Sequence, residues 1–343
     1  QNAQKIVMNV RQLAELSKQV HKNNAPPDSD PTVSMIASQF EDEIVRSVEA
    51  LQLGHREYAR HVIRNSTAYC IECHTRSQIG PSFADQRLDK TIQNLAPLDR
   101  AEYLASIRRF DAAVTEFEGV LKSAKTIQEW NRSARNSLAI TVRFQNNVDR
   151  ALNIVEVILK SDSAPRYLKA DAVAWKKALI DWKKEGLTNK TPKGDLLNRA
   201  KFLITRAQKN QGFSTDHGSD VDFLRASALL HEAMGTDLKG IAKSEALYLS
   251  GITYESLRDL SFWTLHEQYY EACIRNTPHT PMAQKCFRKY EENVVIGFSG
   301  SSGFMLPADV QEKLNELRSL AINEKGSSRK GSNTPKSNKV KKD

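Results

Sequence analysis

The sequence predicts an all-α protein, on three observations. Gly and Pro are scarce, 15 and 11 of 343 residues, while Ala, Leu, Glu, Lys and Arg abound, and these are the residues a helix accommodates at least cost. Apolar residues recur at three- and four-residue steps, the spacing of one helical face. A fourteen-residue pattern returns 38 positions later, the scale of a helical hairpin. The length suits two or three domains. A mean hydropathy of −0.53 and the absence of an 18-residue apolar run exclude a membrane-spanning helix. Four cysteines are too few for a disulfide scaffold.

The first helix is expected over Ala3–Val20, with Ile6, Val10, Leu13, Leu16 and Val20 on one face. Lys22–Pro31 holds three prolines and two aspartates and reads as a loop. A second helix over Thr32–Leu53 carries Met35, Ile36, Phe40, Ile44, Val48 and Leu51, and Leu53-Gly54 closes it. A third is expected from His55 to Cys73, with Ala59, Val62, Ser66, Tyr69 and Cys73 as its core stripe.

That third helix ends in Cys70-Ile71-Glu72-Cys73-His74, a C-x-x-C-H sequence. This is the attachment signature of c-type haem. Two thiols one helical turn apart can add to the two vinyl groups on one porphyrin edge, and the next imidazole then falls under the iron. Zinc would need two further ligands at matching spacing, and Cys273 and Cys286 do not supply it. A thioredoxin-like site would need a surrounding βαβ pattern, which is missing from the sequence. The expectation is one covalent haem c, with Cys70 and Cys73 as thioether ligands and His74 as axial ligand.

Short antiparallel helices with this motif near the last one's end resemble the cytochrome c-prime family, a haem-binding four-helix bundle. The matching features are Cys70, Cys73, His74, Arg76, Met8 and Arg11, within about the first 80 residues. In some members of that family a first-helix methionine is the distal ligand, which makes Met8 a candidate sixth ligand; Met35 and His21 stay open, as does Met8 as core filler. His55 and His61 lie on the order of 20 Å or more from His74 along the expected helix and cannot reach the opposite haem face. Arg76 is a candidate haem-propionate contact, with an exposed surface arginine as the alternative.

Between Pro97 and Leu320 the pattern is helix after helix. Phe110–Ser123 matches Val148–Ser161 at six of fourteen positions, and Ser244–Pro278 places Ala246, Leu249, Gly251, Tyr254 and Tyr270 at spacings that resemble a tetratricopeptide repeat. That resemblance implies a solenoid of stacked hairpins; an irregular helical bundle is the alternative. Gly186–Gly194 reads as a break. Trp130, Trp175, Trp182 and Trp263 are expected in the core. Cys273 and Cys286 flank Asn276–Pro281 almost symmetrically, which suits a disulfide between two antiparallel helices. Gly297–Gly303 lacks the Gly-Lys-Ser/Thr ending of a phosphate loop and reads as a flexible connection. His217, His231, His266 and His279 show no metal-ligand spacing, and no serine or cysteine nucleophile has a positioned base.

The formal charge of +9 divides into zero over residues 1–96, +4 over the middle and +5 in Asn323–Asp343. The basic excess therefore sits in a solvated tail and gives no ground for nucleic-acid binding. The division is 1–82 for the haem segment, 83–322 for the repeats and 323–343 for the tail. The expected function is that of an electron carrier and not an enzyme: an exported monohaem subunit, periplasmic or extracellular, whose repeats dock it onto a redox partner protein or membrane electron-transfer complex. Gln1 then marks a processed N-terminus. The alternatives are a scaffold subunit with structural haem and a gas-binding five-coordinate haem protein; a homodimer is open.

Overall fold

The computed structural model describes residues 2–19, 30–76, 90, 92–188, 195–212, 216–257, 264–300 and 303–322. The chain is all-α. Among the described residues up to position 76 the helices are α1 (Asn2–Ser17), α2 (Pro31–Gln52), α3 (Arg56–Asn65) and α4 (Thr67–His74). Then come α5 (Pro97–Ser106), α6 (Phe110–Ser123) and α7 (Ile127–Leu138), the last continued by a π-helical segment, Ala139–Phe144. Next are α8 (Val148–Lys160), α9 (Arg166–Thr188), α10 (Leu196–Asn210), α11 (Asp220–Met234), α12 (Gly240–Ser256), α13 (Leu265–Asn276), α14 (Pro281–Gly297) and α15 (Ala308–Ala321). His21, Trp263, the 189–194 part of the expected break and the basic tail lie outside the described residues.

The helix expected from His55 to Cys73 is two helices. Ser66 Oγ donates back to the Ile63 carbonyl at 2.8 Å and Thr67 Oγ1 to the Arg64 carbonyl at 3.0 Å. Such back-bonding competes with the helical ladder, and the helix is interrupted at Ser66, just before the motif. The α2 boundaries agree with expectation: the Asp30 carboxylate caps the Thr32 N–H, Pro31 opens the helix, and Gly54 takes φ +83° after Leu53.

From α5 onward the helices form an array that packs largely between sequence neighbours, as in α5 with α6, α10 with α11 and α12 with α13. The internal repeat falls on α6 and α8. Its shared aspartates act alike, since Asp111 pairs with Arg150 at 3.0 Å and Asp149 with Lys183 at 2.5 Å. Gly251 lets α12 and α13 approach, because a Cβ there would overlap the Tyr270 ring. Trp130 and Trp175 are buried; Trp182 is half-buried, with the Arg225 guanidinium 4.6 Å from its ring centre. Within the glycine-rich connection, Ser299 pairs with Phe304 and Gly300 with Gly303 in a two-residue ladder.

The core does not divide at residue 82. Ile36 of α2 and Ile71 of α4 belong to the same buried cluster as the helices from α5 to α15, whereas Val10, Ala14 and Ile44 form a small separate cluster under α1. The first segment is therefore packed onto the helical array, and α13 reaches back to α2.

Candidate functional site

The motif helix α4 has two faces. With 100° per residue, Cys70, Cys73 and His74 share one side, and Ile71, Glu72 and Thr75 point the other way. The second group is buried, at 4%, 3% and 1% exposure. Cys70 and Cys73 are free thiols, half-buried. Burial pushes the Cys70 thiol up to about 11, helped by Cys73. It also raises Cys73, against the pull of Arg76. Burial lowers His74, against a hydrogen bond with the Ser106 main chain and with Arg108 adding to the fall, and Nδ1 has no hydrogen-bond partner. An imidazole on the same face as two free thiols one turn apart fits the donor set of a thioether-bound haem.

The opposite face of α4 is tied to the array by a closed ring of six side chains. Glu72 accepts two parallel bonds from Arg143, Nη1 to Oε1 at 3.2 Å and Nη2 to Oε2 at 3.1 Å. Arg143 Nη1 donates to the Tyr254 hydroxyl at 3.2 Å, and that hydroxyl meets His231 Nε2 at 2.7 Å. His231 Nδ1 lies 3.2 Å from Asp30 Oδ2. Arg76 closes the ring, reaching Asp30 Oδ2 at 3.1 Å and Glu72 Oε1 at 2.9 Å. Tyr269 adds its hydroxyl to Asp30 at 3.1 Å, accepts from Arg76 at 3.0 Å and stacks on Tyr254. Thr32 and Thr75 accept further bonds from Arg76 and Arg143 respectively.

Two carboxylates face two guanidiniums, so the ring is electrically balanced. Burial alone would raise Glu72, but Arg143 and Arg76 overcome it and bring the carboxyl to about 2. Asp30 is likewise lowered against its burial by Arg76 and His231. Burial keeps His231 neutral despite Asp30. Its Nδ1–H then faces the carboxylate, and Nε2 accepts the Tyr254 proton. The π-helical turn sets Arg143 in this ring, because widening the helix shifts the side chains that follow it.

Arg76 does not sit at the surface. Its side chain is 4% exposed and committed to Asp30, Glu72 and Tyr269, a correction to the alternative that it is an exposed surface arginine. Met8 is 60% exposed on α1, and α1 packs on α2 through Val10 and Ala14. Met35 of α2 is half-buried against the core that also receives Tyr69 and Cys73, and Phe40 of α2 contacts Tyr69 at 6.1 Å between ring centres. Cys273 and Cys286 form a disulfide between α13 and α14, with a Cα–Cα distance of 6.2 Å. His217 pairs with Asp220 and His266 with Asn293. Among the described residues no group of three His, Cys, Asp or Glu could hold a metal ion.

Sequence reasoning missed Asp30, Arg143, His231, Tyr254 and Tyr269 as partners of the motif. Asp30 carries a capping signal but nothing in it points to α11 or α13. No family model, curated protein or solved structure matches the chain.

Proposed function

We propose that the chain is an exported monohaem c-type cytochrome that passes single electrons, with a tetratricopeptide-like solenoid holding its haem segment. The observation that carries this reading is the motif face of α4: two free thiols and a histidine set at C-x-x-C-H spacing on one side of the helix. Haem c, when bound, supplies the one-electron couple. Cys70 and Cys73 hold it to the chain, and His74 offers its imidazole to the metal. Glu72 and Thr75, on the far side of α4, fix that helix against the array so that the ligand face keeps its direction. The half-buried Met35 and Tyr69, with Phe40 against the Tyr69 ring, supply an apolar surround that limits water.

An oxidising compartment agrees with the Cys273–Cys286 bond, and no described helix is long and apolar enough to cross a membrane. Several array residues that could have received a partner, namely Arg143, His231, Tyr254 and Tyr269, are already occupied by the chain's own first segment. A redox partner or membrane complex therefore docks on the outer surfaces. The deciding experiment is haem staining of the denatured chain with a reduced-minus-oxidised spectrum: haem that survives denaturation in wild type and is lost in Cys70→Ser/Cys73→Ser supports the reading, and a colourless wild type produced with haem-attachment machinery ends it. In the same spectra, an unchanged Met8→Ala signal excludes Met8 as ligand.

A further inference from the structure

Arg108 lies in the turn between α5 and α6, outside the motif segment. Its N–H meets the Ala105 carbonyl at 3.1 Å, and the next N–H, of Arg109, meets Leu104 at 2.9 Å. This bond pair is a Schellman ending, in which the residue at Arg108's position is left-handed and is normally glycine. Arg108 has φ +62°. A side chain in that conformation is strained, so the turn by itself would be better served without one.

What the side chain does is visible in its contacts. Arg108 Nη1 donates at 3.0 Å to the carbonyl of His74, in the last turn of α4. There a cation complements the helix dipole and satisfies one of the terminal carbonyls. The guanidinium lies over the rings of Phe110 and Phe144, at 5.7 and 5.4 Å. Arg76, the nearer cation in sequence, is turned to the other face of α4 and neutralised by Glu72 and Asp30.

We propose that Arg108 is a positioning residue for the iron ligand: it pins the main chain of His74 and places a positive charge beside that residue. This rests on the haem reading above. A cation beside the ligand disfavours the more positive ferric state, so Arg108 raises the midpoint potential, and its half-exposed position makes the effect weaken with salt.

The test uses the haem-loaded full chain and its Arg108→Gly, Arg108→Gln and Arg108→Lys variants, with midpoint potential measured at low and high ionic strength beside thermal unfolding. Arg108→Gly and Arg108→Gln are expected to fall below wild type in potential, by a gap that narrows with salt, while Arg108→Lys stays nearer to wild type. Arg108→Gly should be at least as stable as Arg108→Gln, because glycine relieves the left-handed turn. Loss of His74 ligation in Arg108→Gln with retention in Arg108→Lys also supports the proposal. Loaded Arg108→Gly and Arg108→Gln with wild-type potentials overturn it and leave the haem reading standing. A wild type without attached haem removes the reading itself, before any variant is compared.

Discussion

Glu72 and Arg143 meet through two parallel hydrogen bonds although 71 residues separate them. Glu72 lies between the two cysteines of the C-x-x-C-H sequence, and Arg143 lies in the π-helical turn of the array. The pair fixes the motif helix to the repeat region by its back, away from the thiols. Removing one partner of a buried ion pair leaves the other charged and dry, a loss of about 3–5 kcal/mol. Glu72→Gln is therefore expected to lower stability by that amount in denaturant titration, as it leaves Arg143 without its carboxylate. A loss below about 1 kcal/mol would place the pair in a wetter setting than its burial indicates.

Acid should loosen the same ring. The folded Glu72 carboxyl sits at about 2, against an ordinary 4.5, and Asp30 is also lowered. Their stabilisation is full above the ordinary carboxylate range and is lost as pH falls through it toward 2. His231, held below its ordinary 6.5, has the same sign, because the unfolded chain takes up the proton first. Glu102 opposes them: burial, partly offset by Arg132, raises it to about 7, so its contribution is lost as pH rises from about 4.5 through 7. Urea midpoints measured across pH should fall steeply in acid for wild type and less steeply for Glu72→Gln. Glu102→Gln should lose the decline on the neutral side.

The Cys273–Cys286 bond closes a short loop across the α13–α14 turn. A cross-link of that span contributes about 3 kcal/mol by restricting the unfolded chain. Cys273→Ser/Cys286→Ser is expected to unfold earlier by that amount, and reductant should destabilise wild type while leaving the double variant unchanged. Equal sensitivity to reductant in both would contradict the bond.

Gly251→Ala forces a methyl group into the Tyr270 ring. Overpacking of this kind costs about 1–3 kcal/mol. Because the clash belongs to the pair, Gly251→Ala with Tyr270→Leu should lose less than the sum of the single changes, which a double-mutant cycle of unfolding free energies reads directly.

The helical class, the ends of α2, the disulfide and the glycine at the α12–α13 crossing were all readable from local pattern. Each depends on residues close in sequence or on one helix face. The break at Ser66 also has a local cause, since Ser66-Thr67 carries two back-bonding hydroxyls, yet the continuous apolar stripe through Ala59, Val62, Tyr69 and Cys73 masks it. The ring around Glu72 was not readable. Its members come from positions 30, 72, 76, 143, 231 and 254, and no period links an N-cap aspartate to a histidine two hundred residues later. Charge pattern also misleads at Arg76, where a basic residue just past a helix end looks solvent-facing until its two carboxylate partners are placed.

The ring makes the two parts of this chain poor candidates for recombination. A chain begun after residue 82 would bare Arg143, His231, Tyr254 and Tyr269 without the carboxylates of Asp30 and Glu72, and it would uncover the apolar ground beneath Ile36 and Ile71. The first segment alone would carry Asp30, Glu72 and Arg76 with no Arg143 to balance them. Neither part can be exchanged for a homologous piece unless the matching charges move with it, so substitutions in either half must be inherited as a set.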